Sequence, residues 1–179
     1  MRLAPLRAGN RDRLSGLLLA TGAFHPDEVD LALALFDEAC PTGDIVTDDD
    51  TGSVVGNADY EFVGAFDASG ILVGYACFGP TPATGGTYDL YWLAVDPAAQ
   101  GRGAGRALVQ WVEQALLARG ARLLVVETSS RPDYASTRNF YARGGFAEAA
   151  RVRDFYAPAD DRIILTTRLM GREVGVATR

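Results

Sequence analysis

The residues best suited to chemistry lie together in Val95-Asp96-Pro97-Ala98-Ala99-Gln100-Gly101-Arg102-Gly103-Ala104-Gly105. Three glycines alternate with other residues between a run of strand formers and a run of helix formers. Glycine leaves backbone N–H groups uncovered and permits the φ > 0 conformations that turn them toward one point. A helix beginning at the same place adds the positive end of its dipole. Arg102 and Arg106 set two cations beside it. This combination suits a pyrophosphate; the alternative is a glycine turn ahead of a solvated helix start. Two other phosphate motifs do not fit. A P-loop requires G-x-x-x-x-G-K-[ST], whereas Ala107 follows Arg106. The dinucleotide fingerprint requires G-x-G-x-x-G, whereas the spacing here is G-x-G-x-G.

Other chemistries lack their residues. His25 is the single histidine, and no G-x-S-x-G elbow accompanies it, which leaves a Ser-His-Asp hydrolase without support. The two cysteines, Cys40 and Cys77, sit far apart in apolar stretches; two buried thiols in a reducing compartment are expected. A His/Cys zinc site has too few ligands. Asp48-Asp49-Asp50 is a weak metal candidate, because consecutive carboxylates point apart; no metal is expected. Seventeen basic and twenty-three acidic side chains give a net charge of −6, which opposes nucleic-acid or anionic-membrane binding. The N-terminus begins no cleavable signal, and no apolar run approaches the roughly 18 residues of a membrane span. A cytoplasmic protein, monomeric or a homodimer, is the expectation.

The elements that must position the glycine loop follow from periodicity. At 179 residues with 48% apolar content, a single globular domain over residues 1–179 is expected. Residues 1–7 form a short edge strand limited by Pro5. Asn10 precedes Leu14, Leu17 and Leu18 at helical spacing, and Gly22 stops that helix. A second helix begins near Pro26 and carries Val29, Leu33, Phe36 and Cys40 along one face. Residues 42–59 read as a solvated loop. Tyr60–Phe66 and Ile71–Phe78 are hairpin strands around Asp67-Ala68-Ser69-Gly70. Tyr88–Val95 is a third strand. Leu108, Val112, Ala115, Leu116 and Arg119 describe an amphipathic helix closed by Gly120. Leu123–Thr128 is a buried strand. Asp133 caps a short helix running to Arg143. Phe146–Phe155 and Ile163–Leu169 close the order around Ala157–Arg162. Hairpin strands plus one βαβ crossover predict a mixed α/β fold with helices on both faces of the sheet.

The Gln100-x-x-Gly103-x-Gly105 pattern after Leu93-Ala94-Val95-Asp96-Pro97 resembles the acetyl-CoA signature of the GCN5-related N-acetyltransferases. Asn139-Phe140-Tyr141-Ala142-Arg143-Gly144-Gly145-Phe146 is similar to the late helix of that family. The motifs cover residues 88–146, and the element order covers nearly the whole chain. The resemblance implies a mostly antiparallel sheet of about seven strands, splayed at its centre. It implies a pantetheine arm alongside Leu93, Ala94 and Val95, with the pyrophosphate on Gln100, Gly101, Arg102, Gly103, Ala104, Gly105 and Arg106. It also implies direct attack of an amine on the thioester of acetyl-CoA, with no covalent enzyme intermediate.

Tyr141 matches the family tyrosine beside the cofactor sulfur, where a phenol can donate to the departing thiolate. Tyr134, Thr137 and Tyr141 stand at i, i+3 and i+7, so one helix face carries three hydroxyls. Thr137 thereby joins the cofactor candidates. Tyr134 departs from the family, which often has Asn there. Asp89, eleven residues before Gln100, matches the strand position where several members carry a general base. A carboxylate in an aromatic strand needs a partner or a wet cleft; the alternative is a strand-end charge facing solvent. Phe24, Tyr91, Phe155 and Tyr156 are candidates to line the acceptor pocket, with Asp160 and Asp161 able to attract a cation. The expected substrate is a primary amine of a small molecule. Acetylation of a protein lysine or N-terminus, or CoA binding without catalysis, are the alternatives.

Overall fold

The computed structural model of the chain describes residues 1–22, 24–41 and 59–169. The elements are β1 (Arg2–Pro5), α1 (Arg11–Thr21), α2 (Pro26–Ala39), β2 (Glu61–Phe66), β3 (Leu72–Pro80), β4 (Thr87–Val95), α3 (Ala104–Ala118), β5 (Leu123–Ser129), α4 (Ala135–Arg143), β6 (Ala147–Ala157) and β7 (Asp160–Arg168). The strands form one seven-stranded sheet in the order β1-β2-β3-β4-β5-β7-β6. Only β4 and β5, joined by the α3 crossover, form a parallel pair among the registers resolved. That pair spans just Thr87↔Leu123, Tyr88↔Leu124 and Asp89↔Val125. The expected mixed fold, mostly antiparallel, is therefore observed. The solvated loop expected at 42–59 lies, but for Asp59, outside the described residues.

The chain divides into two compact units. The first comprises Met1–Gly79 with Tyr91–Val112. In it, α1 ends at Gly22, whose φ of +60° is the left-handed region glycine adopts without a Cβ clash. At the start of α2, Pro26 takes the first turn and the His25 N–H donates to Glu28 Oε2 at 2.7 Å. Leu14, Leu17, Leu18 and Phe36 are fully buried with Tyr75 and Cys77. Each such aliphatic side chain contributes about 1.5–3 kcal/mol on burial. Phe62 packs edge-on against Phe36 and stacks on Tyr75. Phe62 pairs with Cys77 across β2 and β3, so both lie on the α1/α2 side. The next residue, Phe78, points to the opposite side and meets Trp111 of α3 at 6.2 Å. Helices thus cover both faces of this part of the sheet. Asp67 closes the β2–β3 turn by accepting from Ser69 N, Ser69 Oγ and Ile71 N, bonds that hold its carboxyl below the usual range. Both cysteines are free; burial pushes the Cys40 thiol up to about 11.

The second unit comprises Pro80–Leu90 with Glu113–Arg179. Its β5 buries Leu124, Val126 and Thr128 and pairs antiparallel with β7 from Leu123↔Arg168 to Ser129↔Arg162. The β6–β7 hairpin closes at Ala157↔Asp160, tighter than the expected Ala157–Arg162 connection. Ala159 makes this possible at φ +65°, with its N–H donated to Asp154 Oδ1 at 2.7 Å. Every residue of β6 is exposed. The short helix also differs from expectation. Asp133 lies inside a 3₁₀ turn, Pro132–Tyr134, and pairs with Arg131 instead of capping α4. Proline at the head of that turn sets the chain direction before α4 begins.

Candidate active site

In the first unit the path from β4 to α3 is fixed bond by bond. Asp96 accepts from Ala98 N through its side chain at 3.0 Å and from Ala99 N through its carbonyl at 2.8 Å. This caps the 3₁₀ turn Pro97–Ala99. The Ala98 N–H and then Arg13 hold the Asp96 carboxyl below the usual carboxylate range. Gln100 turns its amide back onto Val95 O at 3.2 Å, so this side chain braces the loop. Gly101 and Gly103 take φ +73° and +87°, and a Cβ built on either meets nothing within 4 Å. Their conformation and the open space above them fit a cradle for a bound group. Gly105 differs from expectation: it lies within α3, with no positive φ, because the helix already begins at Ala104.

The first intrahelical bond runs from Ala107 N to Gly103 O at 3.0 Å. The N–H groups of Gly103 to Arg106 therefore have no acceptor inside the helix, as at any helix start. Ala104 is buried, while Arg102 and Arg106 are exposed. Leu93 and Val95 are half-buried and Ala94 is buried in the core. Tyr91, exposed by 37%, packs edge-on with Tyr60 at 5.1 Å. Phe24 is half-buried against the α1/α2 core, which gives it a packing role.

In the second unit Asp89 is the last β4 residue paired with β5. It is half-buried and accepts from Thr81 Oγ1 at 2.6 Å. The carboxylate thus has a hydroxyl partner in its half-buried setting. Thr81 carried no signal in the sequence, because it lies in the loop before Thr87. Tyr141 is buried on α4, in edge contact with Phe140 at 5.1 Å and Phe146 at 5.3 Å. Burial pushes its phenol well above the ordinary tyrosine value, so the group stays protonated and able to donate. Thr137 and Tyr134 are half-buried near the start of the same helix.

Arg138, one turn before Tyr141, donates through Nη1 to Ser129 O at 2.7 Å and Arg131 O at 2.8 Å. It thus ties α4 to the end of β5. Ser129 Oγ in turn donates to the buried Asp160 at 2.5 Å. Phe155 and Tyr156 project from a bulge where Arg153–Tyr156 oppose only Asp161. They are 49% and 50% exposed and in edge contact. Arg162 lies over the Phe155 ring and pairs with Glu127. The expected acidic pair is not free to attract a cation. Asp160 is bonded to Ser129, and Asp161 accepts from Asp154 N and Arg151. No group of three or more His, Cys, Asp and Glu side chains able to hold a metal occurs among the described residues. No helix among them is long and apolar enough to cross a membrane.

A profile of the acetyltransferase (GNAT) family matches residues 24–146. The chain belongs to this family. A crystal structure from Desulfovibrio desulfuricans, described as a GNAT-family member, is 38% identical with a TM-score of 0.79, covering 94% of this chain and 99% of that one. An aminoglycoside 6′-N-acetyltransferase complexed with coenzyme A is 16% identical with a TM-score of 0.70, covering 97% and 99%; at that identity it shares the fold. Mycothiol acetyltransferase of Beutenbergia cavernae is 42% identical over 71 residues, which are 40% of this chain and 22% of that protein. The cosubstrate of the GNAT family is acetyl-CoA.

Proposed function

We propose that this chain, as one catalytic domain, transfers the acetyl group of acetyl-CoA to a primary amine of a small molecule. The observation that carries the reading is the loop Gln100–Arg106, with two positive-φ glycines, unbonded helix amides and two exposed arginines, in a member of the GNAT family. Leu93, Ala94 and Val95 offer backbone groups to the pantetheine arm, and Thr137 offers a hydroxyl.

The reaction needs no covalent enzyme intermediate. A neutral amine nitrogen attacks the thioester carbonyl, the C–S bond breaks, and the sulfur leaves as CoA. Asp89, held by Thr81, receives the proton lost by the amine, directly or through water. Tyr141, kept protonated by burial, hydrogen-bonds the departing thiolate. Tyr91, Phe155 and Tyr156 supply exposed aromatic surface for the acceptor. Because Asp160 and Asp161 are both engaged, recognition of a cation by that pair is not part of the reading.

The test is release of free CoA thiol from acetyl-CoA across a panel of small amines, with peptides bearing lysine or a free N-terminus as a second arm. Amine-dependent thiol release with mass-shifted small-molecule product supports the proposal. Turnover on peptides alone would replace it with a protein acceptor. CoA binding with no release above background would reduce the chain to a binding module.

A further inference from the structure

Arg13 lies on α1, in a stretch that carries no family motif. Its guanidinium forks between two elements. Nε donates to Leu72 O at the start of β3 at 2.9 Å, and Nη2 donates to Asp96 Oδ2 at 2.6 Å. Asp96 is also bonded on every other polar group. Its N–H donates to Val73 O at 2.9 Å, its carbonyl accepts from Ala99 N, and its second carboxylate oxygen accepts from Ala98 N. The Asp96 side chain is 18% exposed and the Arg13 side chain 41%. Asp96 is therefore the fixed point at which the loop leaves β4. Beyond it, Gly101 and Gly103 have no side chain to hold their amides in one direction. Besides the Gln100 brace on Val95 O, the direction of those amides depends on the anchors at the two ends of the loop, α3 on one side and Asp96 on the other.

We propose that Arg13 is a positioning residue for the acetyl-CoA loop, aiming its backbone amides by clamping Asp96 to β3. The inference rests on the reading of Gln100–Arg106 as the pyrophosphate site. The fork is specific to arginine: a lysine ammonium is a point charge and cannot span a carbonyl and a carboxylate in one plane. An ion pair this exposed adds little to stability. The effect is therefore expected in cofactor affinity and not in folding.

The test uses Arg13→Gln, Arg13→Lys, Asp96→Asn and the Arg13→Gln/Asp96→Asn double variant, with CoA affinity by calorimetry, steady-state kinetics and thermal melting. Asp96→Asn retains an oxygen for Ala98 N and removes a negative charge. A purely electrostatic role predicts that Asp96→Asn binds CoA more tightly and Arg13→Gln more weakly. Positioning predicts that both bind about fivefold more weakly, and that the double variant is no worse than either, as coupled neighbours behave. KM for acetyl-CoA follows Kd, kcat at saturating acetyl-CoA and KM for the amine stay within about twofold, and Arg13→Lys does not recover wild-type affinity.

Tighter or unchanged CoA binding by Asp96→Asn, additive losses in the double variant, or a fall in melting temperature without a change in Kd would overturn the proposal. A parallel Gly103→Val measurement separates the two readings. If Gly103→Val loses CoA binding while the pair variants bind normally, the positioning inference alone fails. If Gly103→Val binds CoA normally, the loop reading fails and this inference with it.

Discussion

Beyond Asp96, which Arg13 holds across 83 residues, the loop to Arg106 is braced by local bonds, whereas the hairpin of β6 and β7 has both local and long-range ones. In the loop, Ala98, Ala99 and Gln100 bond to groups two to five residues away. In the hairpin region, Asp160 bonds to Ser129 and Arg162 to Glu127, 31 and 35 residues distant. The loop presents backbone, so what it can offer a ligand depends on its glycines, the start of α3 and the anchors at its two ends. The hairpin presents side chains, and two of its charges, Asp160 and Arg162, are answered by Ser129 and Glu127 of β5. Gly101 and Gly103 take in the structure the positive φ that their place in the sequence suggests. A site built on side-chain pairs changes character with its partners: Asp160 and Asp161 look like a cation trap in sequence and are both engaged in the structure.

Five substitutions sharpen or break this contrast. The largest effect is expected from Gly103→Val. A β-branched residue is strained at φ +87° and its side chain fills the space kept open above the loop. CoA affinity should fall by about 100-fold or more while far-UV circular dichroism is retained. Undiminished affinity in a folded variant would show that the loop is only a turn.

Tyr141→Phe comes next. It keeps the buried ring between Phe140 and Phe146 and removes the proton. We expect kcat to fall by about 10²-fold with CoA affinity nearly intact. Wild-type turnover under conditions where chemistry limits the rate would reduce the residue to packing.

Asp89→Asn should lower kcat/KM by about tenfold near neutral pH, where the amine is mostly protonated, with recovery toward high pH. Rates from about pH 6 to pH 10 for variant and wild type decide this; curves of the same height and shape would remove Asp89 from the mechanism.

Ser129→Ala probes the long-range side of the comparison. It leaves the buried Asp160 carboxylate without its hydroxyl donor. Urea unfolding should show a loss of about 1–3 kcal/mol. Stability equal to wild type would mean that the hairpin does not depend on this bond.

The smallest effect concerns acid. The Asp154 N–H and then Arg151 hold the Asp161 carboxyl below its ordinary value. The folded state therefore binds that proton less readily than the unfolded chain. The resulting stability is complete above the unfolded pKa of about 3.9 and is lost as pH falls through the folded value. Asp161→Asn should flatten the acid limb of a melting curve below about pH 4 and leave neutral pH little changed apart from the lost bonds. An unchanged acid limb would show that other carboxylates set it.

The sequence by itself determined the element order, the glycine loop and the family. Each of these depends on local rules: Gly22 and Gly120 end helices at positive φ, Asp67 builds its own turn, and Gly101 and Gly103 leave the loop backbone bare. It also marked Tyr141 through the run to Phe146, and Asp89 through its place on β4. It misjudged Asp133 as a cap, because an aspartate before a helical run has the same composition whether it caps or pairs with Arg131. The tertiary structure alone decided which charges are free. Thr81 reaches Asp89 across 8 residues, Arg138 reaches Ser129 across 9 and Arg13 reaches Asp96 across 83. Hydrogen bonds act over about 3 Å whatever the separation along the chain. Local periodicity says where a side chain points; only the fold says what it meets.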